Sequence, residues 1–494
     1  MATMKTALRP AALGLAALIA GCASMAPRYE PPPLPVPDRY DGDTATAPGD
    51  AASRGWREQF TDPALQTLIE SALAGNRDLR SATLRVAEAR GAYDIQVADG
   101  GPTLAAQGTA ARVHTAAALS LTGRAATVNE FQLAVGVSSW EIDFWGAVRS
   151  ADEAALQGYL ASDATRRAAT LALIVQVVEG YLAMRETDER IALATQTLTT
   201  RQESVRIFTR RVEIGASSRL ELTQVRTLLT QAQALLAQLK QSRATQGHAL
   251  ALLTGTADTL APSPHGLDAL AAMDTVAPGL PSELLRNRPD ILAAEHQLRG
   301  SHANIGAARA AFFPRVALTG SFGLGSLELD QLFKGASRTW SFGPVVSLPL
   351  FDSGGRKAAL DVAQTRRELA LAAYDHAVQA AFRDVADALS ARRWLNEQLV
   401  IAQDALAIQT DRARLSQLRF DSGASTYLDV LDAQRDLLTA QQQTVQVRRA
   451  LLSSGVALYA ALGGGASALP PSPAMVGASL NNTANAGPGN LTSP

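Results

Sequence analysis

No proline interrupts the chain between Pro102 and Pro262, or again between Pro349 and Pro470. Proline fixes φ and lacks a backbone N–H, so it ends or kinks a helix wherever it falls inside one. Both tracts are rich in Ala, Leu, Gln and Arg, residues that lose little side-chain freedom on entering a helix. Residues 147–213 and 355–421 are therefore each predicted to form a nearly continuous helix of about 100 Å, at ~1.5 Å per residue. A rod of that length does not fit a globular bundle. The chain, at 494 residues, is also longer than one compact core usually allows.

The two tracts occupy matching places in a duplicated frame. Asp78 and Pro102 of "NRDLRSATLRVAEARGAYDIQVADGGP" align with Asp290 and Pro314 of "RPDILAAEHQLRGSHANIGAARAAFFP". Gly136, Phe144 and Arg149 then fall on Gly343, Phe351 and Arg356, and Gly215, Ser217 and Leu220 on Gly423, Ser425 and Leu428. A repeat of this size is a duplicated unit rather than a solenoid motif. Each half reads as helix, two strands, then a long helical hairpin.

The expected organisation follows. Residues 1–21 are a signal peptide and 22–61 a proline-rich leader containing "PRYEPPPLPVPDRY", extended and without a core of its own. The first repeat covers 62–261, with strands at about 102–113 and 128–144 and a hairpin over 147–254. A linker takes 262–285. The second repeat covers 286–465, with strands at about 314–326 and 338–351 and a hairpin over 355–462. The tail, 466–494, has the composition of a disordered segment.

Each hairpin reverses at a similar turn, "VEIGASSRLEL" (212–222) and "FDSGASTYLDV" (420–430). Gly215 and Gly423 suit the left-handed conformation that ends a helix. Ser218 with Glu221, and Thr426 with Asp429, fit the [ST]-x-x-[DE] capping box that opens the next one. The return helix of the second hairpin carries a seven-residue stripe, Leu431, Leu438, Val445, Leu452 and Tyr459, flanked by Val430, Leu437, Leu451 and Leu458. Such a step demands coiled-coil-like packing. On the helices alone, a structural coiled-coil rod would satisfy the pattern equally well.

The strands favour another class. In "PRVALTGSFGLGS", Val316, Leu318, Phe322 and Leu324 alternate with Ala317, Thr319, Ser321 and Gly323. In "TWSFGPVVSLPLF", Trp340, Phe342, Val346, Leu348 and Leu350 alternate with mostly smaller residues. Segments of this kind suit a membrane β-barrel, apolar outside and small or polar inside. Four strands per chain are fewer than the roughly eight that close a barrel, and an open edge cannot face lipid. Other subunits must complete it: two copies would bring eight strands and three would bring twelve.

The amino terminus agrees with a membrane address. Lys5 and Arg9 precede the apolar run "AALGLAALIA", then Gly21 and Cys22. The run is too short to span a bilayer as a helix, and the rest of the sequence is read as holding no other stretch of about twenty apolar residues. The single cysteine, Cys22, excludes an intramolecular disulfide. "IAGC" resembles the lipobox of bacterial lipoproteins, which implies acylation of Cys22; Ala23 after it implies delivery to the outer membrane.

Other classes find no support. A net charge of −1 lacks the basic footprint of a nucleic-acid binder. The histidines are scattered, none opens an H-E-x-x-H motif, and "SGGRKA" is not a Walker loop. The chain is expected to be no enzyme, to hold no metal, and to need no cofactor beyond the lipid on Cys22.

These segments together resemble the outer membrane factor, or TolC-like, family, in the lipoprotein branch serving tripartite drug-efflux systems. The resemblance rests on "WREQFTDPALQTLIESALAGNRDL", on "LPSELLRNRPDILAAEHQLRGSHANIGAARAAFFPRVALTGSFG" and on "YLDVLDAQRDLLTAQ". It implies a homotrimer whose twelve strands form one outer-membrane barrel and whose helices form a long periplasmic α-barrel. An equatorial belt would take residues 62–75, the linker near 255–285 and the tail. "HTAAALSLTGRAAT" and "SLELDQLFKGAS" would be the extracellular loops. The implied partners are a periplasmic adaptor (membrane fusion) protein, an inner-membrane RND-type pump and outer-membrane lipid. Gly215, Ala216, Ser217, Gly423, Ala424 and Ser425 would form the adaptor-docking tips, and Leu428 and Asp432 the periplasmic aperture. Glu221 and Asp429 fit caps or gates alike. A protein-secretion duct serving an ABC transporter would share this fold.

Overall fold

The computed structural model describes residues 24–33, 35–37, 54–120, 123–256, 266–270 and 287–465. Cys22, most of the 262–285 linker and the tail 466–494 lie outside the described residues. The elements, in chain order, are α1 (Trp56–Gln59), α2 (Pro63–Gly75), α3 (Arg77–Asp99), β1 (Leu104–Thr115), β2 (Ala126–Glu141), α4 (Ala147–Glu213) and α5 (Arg219–Thr254). The second half adds α6 (Pro289–Ala310), β3 (Arg315–Ser326), β4 (Arg338–Ser347), α7 (Gly355–Asp421) and α8 (Tyr427–Ala461). The two tracts read as nearly unbroken helix are α4 and α7, 67 residues each. The strands exclude a purely coiled-coil rod.

The chain divides into two compact units, each drawn from both halves of the sequence. One comprises residues 1–33, 85–162 and 293–374 and contains all four strands. They form an antiparallel sheet in the order β1-β2-β3-β4, so β2 of the first half pairs directly with β3 of the second. The register sorts side chains by face. Ala106, Val135, Phe322 and Trp340 lie opposite one another across the sheet, as do Leu104, Val137, Gly320 and Phe342. Trp340 is 77% exposed and Phe342 70%. The alternate face carries Ala105, Gly136, Ser321 and Ser341, then Gln107, Ala134, Gly323 and Thr339. Here β2 and β3 approach so closely that a Cβ on Gly136 would sit 2.5 Å from the Gly320 carbonyl oxygen.

The strand ends differ from the expected ones for local reasons. β2 is bulged between Val137 and Trp140 and stops at Glu141. Asp143 turns away instead to cap α4, accepting from the Arg149 backbone N–H at 3.0 Å and from its Nε at 3.3 Å. β4 stops at Ser347 rather than near 351, just before Pro349, which has no N–H to give a ladder. Asp352 then clasps Arg356 in the same way, at 2.9 and 2.8 Å. Residues 24–33 form neither helix nor strand, and Tyr29 donates to Glu295 (3.2 Å) while meeting His302 edge-on.

The second unit comprises residues 34–84, 163–292 and 375–494. Asp62 caps α2, accepting from the Ala64 N–H at 2.8 Å, and its other oxygen accepts from the Tyr181 hydroxyl at 2.7 Å. Burial and then that carboxylate push the Tyr181 hydroxyl up to about 12. One sequence expectation needs correction: α4 does contain a stretch apolar enough to pass for a membrane helix. Half of that stretch is buried within the protein. Ile174, Val177, Val178, Tyr181 and Leu182 of α4 belong to the core, while Glu179 accepts from Arg449 (2.8 Å) and Ser453 (2.9 Å) of α8. Its apolarity serves helix packing. The stripe on α8 faces the same interior: Leu431, Val445 and Tyr459 are buried, and Leu438 and Leu452 half-buried.

Candidate functional site: the two hairpin tips

Each long helix ends in the same backbone device. Gly215 (φ +75°) donates to the Val212 carbonyl at 3.1 Å and Ala216 to that of Arg211 at 2.8 Å. Gly423 (φ +76°) donates to Phe420 at 2.9 Å and Ala424 to Arg419 at 2.8 Å. This pair of hydrogen bonds is the Schellman motif, which satisfies the last carbonyls of a helix and needs a residue at ease with positive φ.

The return helices open differently. Ser218 Oγ accepts from the Glu221 N–H at 3.1 Å, and Glu221 Oε2 accepts from the Ser218 N–H at 2.7 Å, a complete capping box. Ser217 Oγ adds a third bond to the same carboxylate oxygen at 2.5 Å. These donors, the Ser217 hydroxyl foremost, hold the Glu221 carboxyl below the usual range. The expected box of Thr426 and Asp429 does not form, because the Thr426 hydroxyl makes no capping bond. Aspartate is one methylene shorter than glutamate and reaches back less readily. Ser425 Oγ is buried without a hydrogen-bond partner among the described residues.

The second tip is held by an aromatic residue instead. Tyr427 is buried with Phe208, Val225, Val430 and Leu431. Its ring centroid lies 4.4 Å from Phe208 and 4.9 Å from Phe420, and its hydroxyl pairs with Ser204 at 2.8 Å. The Arg211 guanidinium lies 5.5 Å from the Phe208 ring and 5.2 Å from the Phe420 ring. Sequence reading missed this cluster, since aromatics so far apart in the chain carry no local signal.

Leu428 and Asp432 share one face of α8, being four residues apart. Leu428 is 48% exposed and the Asp432 side chain 42% exposed. Asp432 pairs with Arg435 at 3.2 Å, and Arg435 also reaches Asp436, which Arg412 of α7 holds at 2.6 Å. Arg412 keeps the Asp436 carboxyl below its ordinary range. The aperture candidate is therefore the exposed end of an ion-pair chain linking α7 and α8.

A further feature went unread. Along α7, Trp394, Ile401, Ile408 and Leu415 recur at a seven-residue step and are all exposed. The spacing was visible in the sequence; only the structure shows that the chain itself leaves this stripe uncovered.

Comparison with known proteins agrees with this architecture. The family model described as "Outer membrane efflux protein" matches residues 68–256 and 280–464. The outer membrane protein OprJ of Pseudomonas aeruginosa is 40% identical over 465 residues, 93% of this chain and 97% of that protein. The probable efflux pump outer membrane protein TtgC of Pseudomonas putida is 39% identical over 461 residues, 92% of this chain and 95% of its own length. Among solved structures, the open state of the MtrE outer membrane channel of Neisseria gonorrhoeae superposes with a TM-score of 0.82 at 39% identity, covering 90% of this chain and 98% of that one. With its duplicated hairpins, its mixed helix and sheet units and these matches over nearly its whole length, the chain belongs to the outer membrane efflux protein family.

Proposed function

We propose that this protein is the outer-membrane exit duct of a tripartite efflux pump. It conducts drugs or other small toxic compounds passively, while an inner-membrane RND-type pump supplies the energy and a periplasmic adaptor joins the two. The observation that carries this reading is the four-stranded sheet, with one apolar exposed face and two edges, β1 and β4, that pair with no strand among the described residues. Such a sheet is stable in lipid only when closed by other copies. A homotrimer supplies twelve strands. The uncovered α7 stripe supports self-association, since burying one large aliphatic side chain fully yields about 1.5–3 kcal/mol. Acylation of Cys22 adds a lipid anchor to the barrel.

In this duct the hairpin tips form the periplasmic mouth, and Leu428 and Asp432 ring its aperture. An aspartate ring draws cations into a confined pore, and a leucine ring resists wetting. Asp432→Ala is expected to raise single-channel conductance in lipid bilayers and to lower cation preference; unchanged conductance removes Asp432 from the aperture. The role itself is tested by deleting the gene and restoring it: drug sensitivity that the wild-type chain reverses supports efflux, while loss of a secreted protein with unaltered drug sensitivity assigns the duct to secretion. Cys22→Ser is expected to lose the lipid yet still give a heat-modifiable oligomer on gels. Loss of that oligomer would mean that assembly requires the anchor.

A further inference from the structure

A cavity of about 640 Å³ opens in the helical unit beside the start of α3. That volume lies within the roughly 300–1,000 Å³ typical of small-molecule sites. Its apolar lining includes Trp56, Ile174 and Tyr459, all buried. Four arginines, Arg57, Arg77, Arg80 and Arg166, also line it, and its described lining contains no aspartate or glutamate.

Two of these arginines are engaged elsewhere. Arg57 pairs with Glu70 at 2.9 Å and lies 4.4 Å from the Trp56 ring. Arg166 pairs with Asp163 at 3.2 Å. Arg77 and Arg80 have no ion-pair or side-chain hydrogen-bond partner among the described residues. Three residues apart in the first turns of α3, they are near neighbours on the helix surface. Two uncompensated guanidinium groups beside an apolar, aromatic lining form a charge arrangement that an anion with an apolar body would complete. Guanidinium binds carboxylate or sulfonate through charge-assisted, often bidentate bonds.

We propose that this cavity binds a small amphipathic monoanion, its apolar body against Trp56, Ile174 and Tyr459 and its acidic group on Arg77 and Arg80. Nothing in this assignment depends on the pump reading, because the binding is measured on the isolated protein.

The test is calorimetric titration of the full-length protein, in nanodiscs of zwitterionic lipid, with naphthalene-2-sulfonate and with its neutral analogue naphthalene-2-sulfonamide. Saturable binding of the sulfonate is expected, at one site per chain. The neutral analogue, and the variant carrying Arg77→Gln with Arg80→Gln, should each bind about tenfold more weakly or worse. Arg77→Lys with Arg80→Lys, which keeps the charge and loses the bidentate fork, should bind between the wild type and the glutamine variant, while Ile174→Trp, which fills the cavity, should abolish binding with the charges intact. Both arginines are exposed, so their variants should keep the heat-modifiable oligomer, which is checked alongside. Absence of saturable binding, equal binding of the neutral analogue, or undiminished binding to the glutamine variant would each overturn the assignment.

Discussion

The two hairpin tips share a backbone and differ in what holds them. Both close on a Schellman turn around a positive-φ glycine. The first is then secured by its own polar side chains, with Ser217, Ser218 and Glu221 bonded to one another at the surface. The second lacks that local lock and is secured from within, by the Tyr427 ring among Phe208 and Phe420. A cap stabilises one turn independently of its surroundings, whereas a buried ring ties its helix to the neighbours. Movement of α8 at the second tip therefore has to involve α4, α5 and α7, whose Phe208, Val225 and Phe420 gather around Tyr427, while the lock of Ser217, Ser218 and Glu221 closes within its own turn.

That contrast can be broken by experiment, and the largest effect should come from Tyr427→Ala. It removes a buried ring and one of the two hydrogen bonds of the Ser204 hydroxyl, the other going to the Thr200 carbonyl, and ring truncations in packed sites cost about 3–5 kcal/mol. The loss should appear as reduced hydrogen-exchange protection over Tyr427–Leu431 and around Val225, which packs in the same cluster, with the capped turn Ser217–Glu221 much less affected; equal loss in that turn would refute independent anchoring. Next, Ser218→Ala should cost about 1 kcal/mol, read as faster exchange confined to the first turn of α5. Acidification should act in the same place. Because the Glu221 carboxyl is held below the ordinary range, its contribution is complete above the unfolded value of about 4.3. It fades as the pH falls through the lower folded value. Protection factors, which divide out the intrinsic pH dependence of exchange, should therefore drop at the first tip on acidification, and a flat profile would remove Glu221 from the lock. The smallest effect belongs to Thr426→Ala, below about 0.5 kcal/mol, since its hydroxyl makes no capping bond. A cost matching that of Ser218→Ala would show that the two tips are capped alike after all.

What could be read beforehand divides along the same line between local and distant interactions. Helix extent was legible because proline placement and residue propensity act within a few residues, and the glycine turns because positive φ strongly favours glycine. The capping box was legible only as a pattern: Ser218-x-x-Glu221 and Thr426-x-x-Asp429 obey the same rule, but one methylene and a neighbouring tyrosine decide which of them forms. The apolar stretch of α4 was passed over, and only the packing of Tyr181 and the Glu179–Arg449 pair shows what its apolarity is for. Pairing of β2 with β3 across the two halves could not be read, because alternation fixes which face a side chain takes but not which strand lies alongside. The cavity arginines are a similar case. Arg77 and Arg80 look like ordinary surface charges until the fold gathers Trp56, Ile174 and Tyr459 beside them.

Holding both tips in one polypeptide also has a hereditary consequence. Any ring assembled from identical copies must present the two kinds alternately, so a single nucleotide change alters every second position and leaves the others as they were. A protein encoding only one hairpin would have to change all of them together. Duplication followed by fusion thus lets one set of tips drift toward a new partner or a tighter closure while its twin preserves the ancestral fit, and the divergence of Arg219 and Glu221 from their counterparts Tyr427 and Asp429 is the trace such a history would leave.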